Sequence, residues 1–241
     1  MTTIENTTKK RARASAMRNT LRHLSTVLIV SGLLLVADAA TTILYQEPVS
    51  GVYNHFQQQK LTGQLERLSS VPPTALEKKA LASLPDPTAR IAFAARALDR
   101  KVESGDAIGR IVIPAIGLSK VMVQGTTTDV LPKGPGHYPE TPFPGAPGTV
   151  AVAGHRTTYG APFHDINELH KGDKIELKMP YGTVTYAVED IKIVLPTATY
   201  VTDRKSYNRL VLTACHPLYS ASHRIAVFAR QVGETPAKAY K

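Results

Sequence analysis

Only one of the 241 residues is a cysteine, Cys215, so an intrachain disulfide and any cysteine-rich metal site are excluded. The eight histidines are scattered, without acidic or cysteine partners at ligand spacing, so neither a metal nor another cofactor is expected. There is no phosphate-binding glycine loop and no internal repeat. A basic face interleaved with aromatic residues, as nucleic-acid binding requires, is missing from the region after residue 45, so nucleic acid is not expected as a partner.

Charge is nearly absent from Ser25 to Tyr45, "STVLIVSGLLLVADAATTILY", where Asp38 stands alone. About 20 residues at a 1.5 Å rise match the ~30 Å hydrocarbon layer, so this run is long enough to span a bilayer as a helix. Asp38 at mid-membrane adds roughly 2.5–3.5 kcal/mol of insertion cost, which the leucines and valines offset. Ahead of it lie Lys9, Lys10, Arg11, Arg13, Arg18 and Arg22 against Glu5. Of the net charge of +10, +5 falls in residues 1–25, −1 in the rest of the span, +2 in residues 46–105 and +4 in residues 106–241. Basic flanks stay in the cytoplasm. The expectation is an uncleaved signal anchor with the N-terminus inside and everything after Tyr45 outside. Cleavage after "VADAA" is the alternative, disfavoured because the apolar run exceeds the ~7–15 residues usual in a cleaved signal.

Residues 46–105 are poor in β-branched residues. They read as two helical pieces, broken at Val71–Pro73 and Leu84–Pro87, where proline forbids continuation. The apolar spacing of Ile91, Ala94, Ala95 and Leu98 marks an amphipathic face. Two roles are open: a stalk holding a domain off the membrane, or a second helix that packs on that domain.

From Asp106 the texture becomes β-branched and alternating: "RIVIPAI", "LSKVMVQ", "TVAVAGH", "KIELKMP", "TVTYAVEDIKIVL", "RLVLTAC" and "RIAVFARQV". Seven or eight strands between Gly, Pro and Asp turns predict a closed or nearly closed β-barrel. The stretch Leu131–Gly148 carries six prolines, which predicts a surface loop rather than ladder pairing. A short helix is expected over Phe163–His170.

Cys215 ends one apolar run, "RLVLTAC", and His155 ends another, "TVAVAGH". A free cysteine is commonly buried packing material, a strand-end histidine is commonly a surface residue, and Arg224 alone is an ordinary exposed cation. Their joint context is different. An unpaired thiol exported to an oxidising exterior is either hidden or reactive.

"GHR" at 154–156, "LTACHP" at 212–217 and Arg224 opening the final strand resemble the catalytic signatures of the sortases, membrane-anchored cysteine transpeptidases of Gram-positive cell walls. "GPGHYP" (Gly134–Pro139), "AGHRTTYGAPF" (Ala153–Phe163) and "CHPLYSASHR" (Cys215–Arg224) resemble the class E branch. Where the family usually has Thr-x-Thr-Cys, this chain has Thr213, Ala214 and Cys215, keeping the first hydroxyl and losing the second.

The resemblance implies a mainly β fold, an eight-stranded sortase barrel with short helices. It divides the chain into a basic tail (1–24), a transmembrane anchor (25–45), a helical stalk or linker (46–105), a catalytic barrel (106–232) and a C-terminal tail (233–241). Peptide cleavage needs a nucleophile, a proton donor for the leaving amine and stabilisation of the oxyanion. The resemblance assigns these to Cys215, His155 and Arg224, with Thr213 and Tyr138 as further candidates for substrate contact. His137, His164, His170, His216 and His223 are expected at loops or strand edges. The implied substrate is a Leu-Ala-x-Thr-Gly or Leu-Pro-x-Thr-Gly sorting signal, cut at Thr-Gly and joined to a cell-wall amine. A pilin-polymerising enzyme, joining its substrate to a pilin lysine, and a non-catalytic anchored barrel are the alternatives. "LPTAT" at 195–199 has no glycine after it and no apolar tail follows, so the chain reads as the processor and not the substrate. An L,D-transpeptidase would show Ser-x-Gly-Cys, and a papain-like enzyme would put its cysteine at a helix start.

Overall fold

The computed structural model describes residues 2–44 and 48–240, with side chains described for residues 17–41 and 50–240. It divides into two compact units, Met1–Pro48 and Val49–Lys241. The first holds helix α1, Thr2–Leu44. Within α1, Met17–Thr41 is a 25-residue stretch of mean hydropathy 1.9, long and apolar enough to cross a membrane. Tyr45, the expected end of the span, lies outside the described residues.

Three helices precede the strands: α2 Pro48–Ser70, α3 Ala75–Ala82 and α4 Pro87–Asp99. Their breaks fall at the two proline clusters. Thr74 opens α3 with a capping box: its hydroxyl accepts the Glu77 N–H at 3.2 Å, and the Glu77 carboxylate accepts the Thr74 N–H at 2.8 Å. Asp86 caps α4 by accepting the Ala89 N–H at 2.7 Å, and Pro87 occupies the first turn.

These helices are built into the barrel unit. Ile91, Ala94, Ala95 and Leu98 of α4 enter the main core, so the amphipathic face is the packing face. From α2, Leu61 joins Ala107, Val121, Val123 and Val130 in a smaller cluster. The Gln58 carboxamide completes the contact by acting as a piece of strand. Its oxygen accepts the Val121 N–H at 2.8 Å, and its nitrogen donates to the Val121 carbonyl at 3.0 Å. An otherwise open stretch of strand edge is thereby satisfied by a side chain.

Eight strands follow: β1 Ala107–Ile113, β2 Leu118–Gln124, β3 Gly136–His137, β4 Thr149–Ala153, β5 Lys174–Met179, β6 Gly182–Val194, β7 Arg209–His216 and β8 His223–Pro236. They close a barrel in the order β1-β2-β3-β4-β7-β8-β6-β5. Every neighbouring pair is antiparallel except β2–β3 and β4–β7, which are parallel. β8 continues past Val232 and pairs Pro236 with Gly182.

The proline-rich stretch departs from expectation. It is mostly buried, and it contains β3, which joins β2 to β4 and so closes the ring. Proline lacks a donor but keeps its acceptor. The Val123 N–H accordingly donates to the Pro135 carbonyl at 2.9 Å, and the Gly125 N–H to the His137 carbonyl at 2.9 Å. The expected helix over Phe163–His170 shrinks to a 3-10 turn, Ile166–Glu168, in which the Glu168 N–H donates to the Asp165 carbonyl at 2.9 Å.

Candidate active site

Cys215 is the penultimate residue of β7 and is half-buried. Side chains alternate along a strand. Leu210, Leu212 and Ala214 enter the main core, so Val211, Thr213 and Cys215 face the other way. Val211 belongs there to a second apolar cluster with Ala151, Val194, Val201, Ala226 and Phe228, against which Tyr138 packs. The outer face of β4, β7 and β8 thus has an apolar floor, and Cys215 stands at its end.

Directly opposite Cys215 on β8 is Arg224, and opposed residues of an antiparallel pair share a face. The Arg224 Nη1 donates to the carbonyls of Ala221 and His223, both at 2.9 Å. These bonds tie the guanidinium to the loop before β8 and to the first residue of β8.

His155 arrives from a third strand. β4 runs parallel to β7 with Ala153 in register with Thr213, and the Gly154 N–H extends the ladder to the Thr213 carbonyl at 3.0 Å. One residue later the chain has brought His155 level with Cys215. Glycine is required at 154 because a Cβ there would lie 2.5 Å from the Phe163 ring. Thr158 Oγ1 lies 3.3 Å from His155 Nδ1, and the Tyr159 ring centroid is 5.0 Å from the imidazole. Burial holds the imidazole pKa below its ordinary value.

Sequence reasoning missed Arg156 as a site residue, although it stands in the quoted "GHR". It is 5% exposed. Its Nε donates to the His164 carbonyl at 3.1 Å, its Nη2 to Asn167 Oδ1 at 2.6 Å, and its Nη1 to the Cys215 carbonyl at 3.3 Å, with His216 Nδ1 3.1 Å away. One guanidinium therefore bonds the histidine loop to the cysteine strand. Burial pushes its pKa down, while Asp165 and Cys215 push it up.

The two further candidates meet each other. Tyr138 Oη and Thr213 Oγ1 share a hydrogen bond of 2.9 Å, and the Tyr138 N–H donates to the Ala151 carbonyl at 3.0 Å. Tyr138 is thereby fixed beside the strand that carries Cys215. His137, expected at a loop or strand edge, is instead 1% exposed, and burial lowers its pKa to about 4.

Such a rim presents a thiol, an imidazole and a guanidinium, kinds of group that acyl transfer from a peptide carbonyl can use. A model of the sortase domain matches residues 111–232. Sortase D of Bacillus subtilis is 35% identical over 136 residues, covering 55% of this chain and 67% of that protein. Sortase SrtE1 of Streptomyces coelicolor is 31% identical over 150 residues, covering 56% of this chain and 43% of its own length. Among solved structures, sortase E of Streptomyces avermitilis matches with a TM-score of 0.53 at 33% identity, over 58% of this chain and all of that one. A Clostridium perfringens sortase D5 transpeptidase, at 24% identity and a TM-score of 0.58, covers 73% of this chain and 99% of that one, and supports the fold alone. The matched region begins in β1 and ends in β8, around a closed barrel whose lone cysteine faces an arginine across the last ladder, and the chain belongs to the sortase family of cysteine transpeptidases.

Proposed function

We propose that this protein is a single-pass membrane enzyme that anchors surface proteins to the cell wall, with Cys215, His155 and Arg224 as its catalytic residues. The observation that carries the reading is the register: Cys215 opposite Arg224, with His155 brought level by the parallel β4–β7 pair. The Cys215 sulfur attacks the threonine carbonyl of a Leu-Ala-x-Thr-Gly or Leu-Pro-x-Thr-Gly sorting signal. A C–S bond forms, the Thr–Gly C–N bond breaks, and His155 protonates the departing glycine amine. Arg224 donates to the carbonyl oxygen as charge develops on it. An amine of a cell-wall precursor then attacks the thioester and gives a proton to His155; the new C–N bond forms, the C–S bond breaks and Cys215 leaves as the thiolate. The apolar floor of Ala151, Val211 and Ala226 offers a bed for the peptide, with Tyr138 and Thr213 at its side.

The apolar part of helix α1 fits a membrane anchor, and the basic residues towards its N-terminal end favour a cytoplasmic N-terminus with the barrel outside the cell. Class E is the preferred subdivision, supported by the motifs around Tyr138, His155 and Cys215 and by the sortase E relatives. Class D is the second reading, favoured by the 35% identity to sortase D. The test is mass spectrometry of the purified full chain with a sorting-signal peptide and candidate amines. The expected products are a thioester adduct on Cys215 and a peptide ligated to the amine; a peptide cut without any adduct, or left uncut, refutes the reading.

A further inference from the structure

Beside His155 the backbone does something L-residues rarely do. Tyr159, Gly160 and Ala161 are consecutive and all left-handed, with φ of 52°, 68° and 37°. Glycine takes this conformation freely, but tyrosine and alanine pay for it, about 1–3 kcal/mol each, so such a run persists only where its surroundings over-determine it.

The surroundings come from the start of α2. Ser50 Oγ accepts the Tyr159 N–H at 2.8 Å. The Tyr53 ring meets the Tyr159 ring edge-on, with centroids 6.2 Å apart and planes at 71°. Asn54 backs Gly160 so closely that a Cβ on the glycine would lie 2.7 Å from its Oδ1. Asn54 is itself held, 2% exposed, with its nitrogen donating to the carbonyls of Pro132 at 3.0 Å and Lys133 at 3.2 Å. Three residues within two turns of one helix thus grip the two residues that follow Thr158. The far side of that grip is the imidazole, since the Tyr159 ring lies 5.0 Å from His155 at a tilt of 47°.

We infer that the first two turns of α2 are a positioning element for His155, with Ser50, Tyr53 and Asn54 holding Tyr159 in its left-handed conformation against the imidazole. The inference rests on the catalytic reading of His155. Tyr159 is a positioning residue: it limits where the ring sits and covers it from water, in keeping with the depressed His155 pKa. Thr158, on the same loop, places its Oγ1 3.3 Å from His155 Nδ1; Cys215 on β7 and Arg224 on β8 are the titratable and charged groups that the strand register sets level with the imidazole. The link therefore joins the catalytic histidine to the segment that directly follows α1.

The experiment uses the full chain in detergent micelles, with variants Ser50→Ala, Ser50→Thr and Tyr159→Asn. Asparagine tolerates the left-handed region, so the last variant removes the ring with little added backbone strain. Each is read by acylation and transfer kinetics and by NMR titration of the His155 ring, a measurement that needs no substrate. Ser50→Ala should lower kcat about three- to ten-fold with KM unchanged, the loss of one hydrogen bond, and Ser50→Thr should restore most of it. Tyr159→Asn should lower kcat further and move the His155 titration up towards its ordinary value. The inference is overturned if both Ser50→Ala and Tyr159→Asn keep the wild-type titration curve and kcat, or if any loss follows thermal stability alone with the titration unmoved. A His155→Ala arm separates the two claims: full activity in that variant sinks the catalytic reading of His155, whereas inactivity there with unaltered α2 variants sinks only the positioning role.

Discussion

Lowering the pH from 7.5 to 5.0 should weaken the barrel through one side chain, His137. Its ring is almost completely buried, with Nδ1 2.8 Å from Gln124 Oε1, Nε2 3.1 Å from Thr141 Oγ1 and 3.2 Å from the Pro142 carbonyl, and the Phe143 ring edge-on at 4.7 Å. Removal from water outweighs the carbonyl that favours the charged form, and the pKa falls from 6.5 to about 4. The unfolded chain therefore takes up a proton near pH 6.5 that the folded chain refuses until about pH 4. Stability is full above the upper value, declines as the pH drops between the two, and levels off below the lower one. At pH 5.0 the gap is about 1.5 pH units, or about 2 kcal/mol at 1.36 kcal/mol per unit. For a unit of this size that corresponds to about 4–8 °C in Tm. The assay is thermal unfolding by circular dichroism in detergent at both pH values, for wild type and His137→Gln, since glutamine keeps polar reach without titrating. The variant is less stable at pH 7.5 because it packs less well, but the difference from wild type should shrink by about 2 kcal/mol at pH 5.0. Parallel pH profiles for the two proteins would refute the argument.

Cys215→Ala should abolish both cleavage and transfer while the circular dichroism spectrum stays that of the wild type, because no second thiol exists to form the thioester. Arg224→Lys should lose most of the activity, since one ammonium cannot reproduce a planar donor fork; rates within a few-fold of wild type would remove Arg224 from the mechanism. Arg156→Met should lower stability by about 2–4 kcal/mol in thermal melts, as the His164 and Cys215 carbonyls and the Asn167 side chain lose a buried donor. In competition between the alanine and proline sorting peptides, a class E enzyme should favour alanine, and Tyr138→Ala should narrow the kcat/KM ratio; equal use of both peptides by the wild type would defeat the class assignment.

The strands were legible where two periodicities agreed. In β7 and β8 the alternation and the β-branched content point the same way, and Cys215 and Arg224 stand at ends that the sequence marks with His216-Pro217 and Ser222-His223. β3 was not legible, because a two-residue strand leaves no period and its pairing uses the acceptors that prolines retain. Arg156 carried a signal, its place directly after His155, yet only the fold shows that its guanidinium reaches β7. The contact of Ser50 with Tyr159 joins residues 109 positions apart and leaves no trace in either local pattern.

The order in which strands are made differs from the order in which they stand. Synthesis delivers β5 and β6 before β7 and β8, whereas around the ring β8 is inserted between β7 and β6. A chain that has emerged only as far as β7 carries its thiol on a strand with one free edge. Opposite lies β6, likewise unpaired on that side, and Arg224 is still to come. The last strand thus supplies the seam and the cation in one step: the 12 residue pairs it forms with β6 and the 8 it forms with β7 close the wall that places Arg224 against Cys215. A partly made chain has its cysteine but neither a closed barrel nor the partner across the ladder, so on the catalytic roles proposed for Cys215 and Arg224 reactivity arrives together with completion.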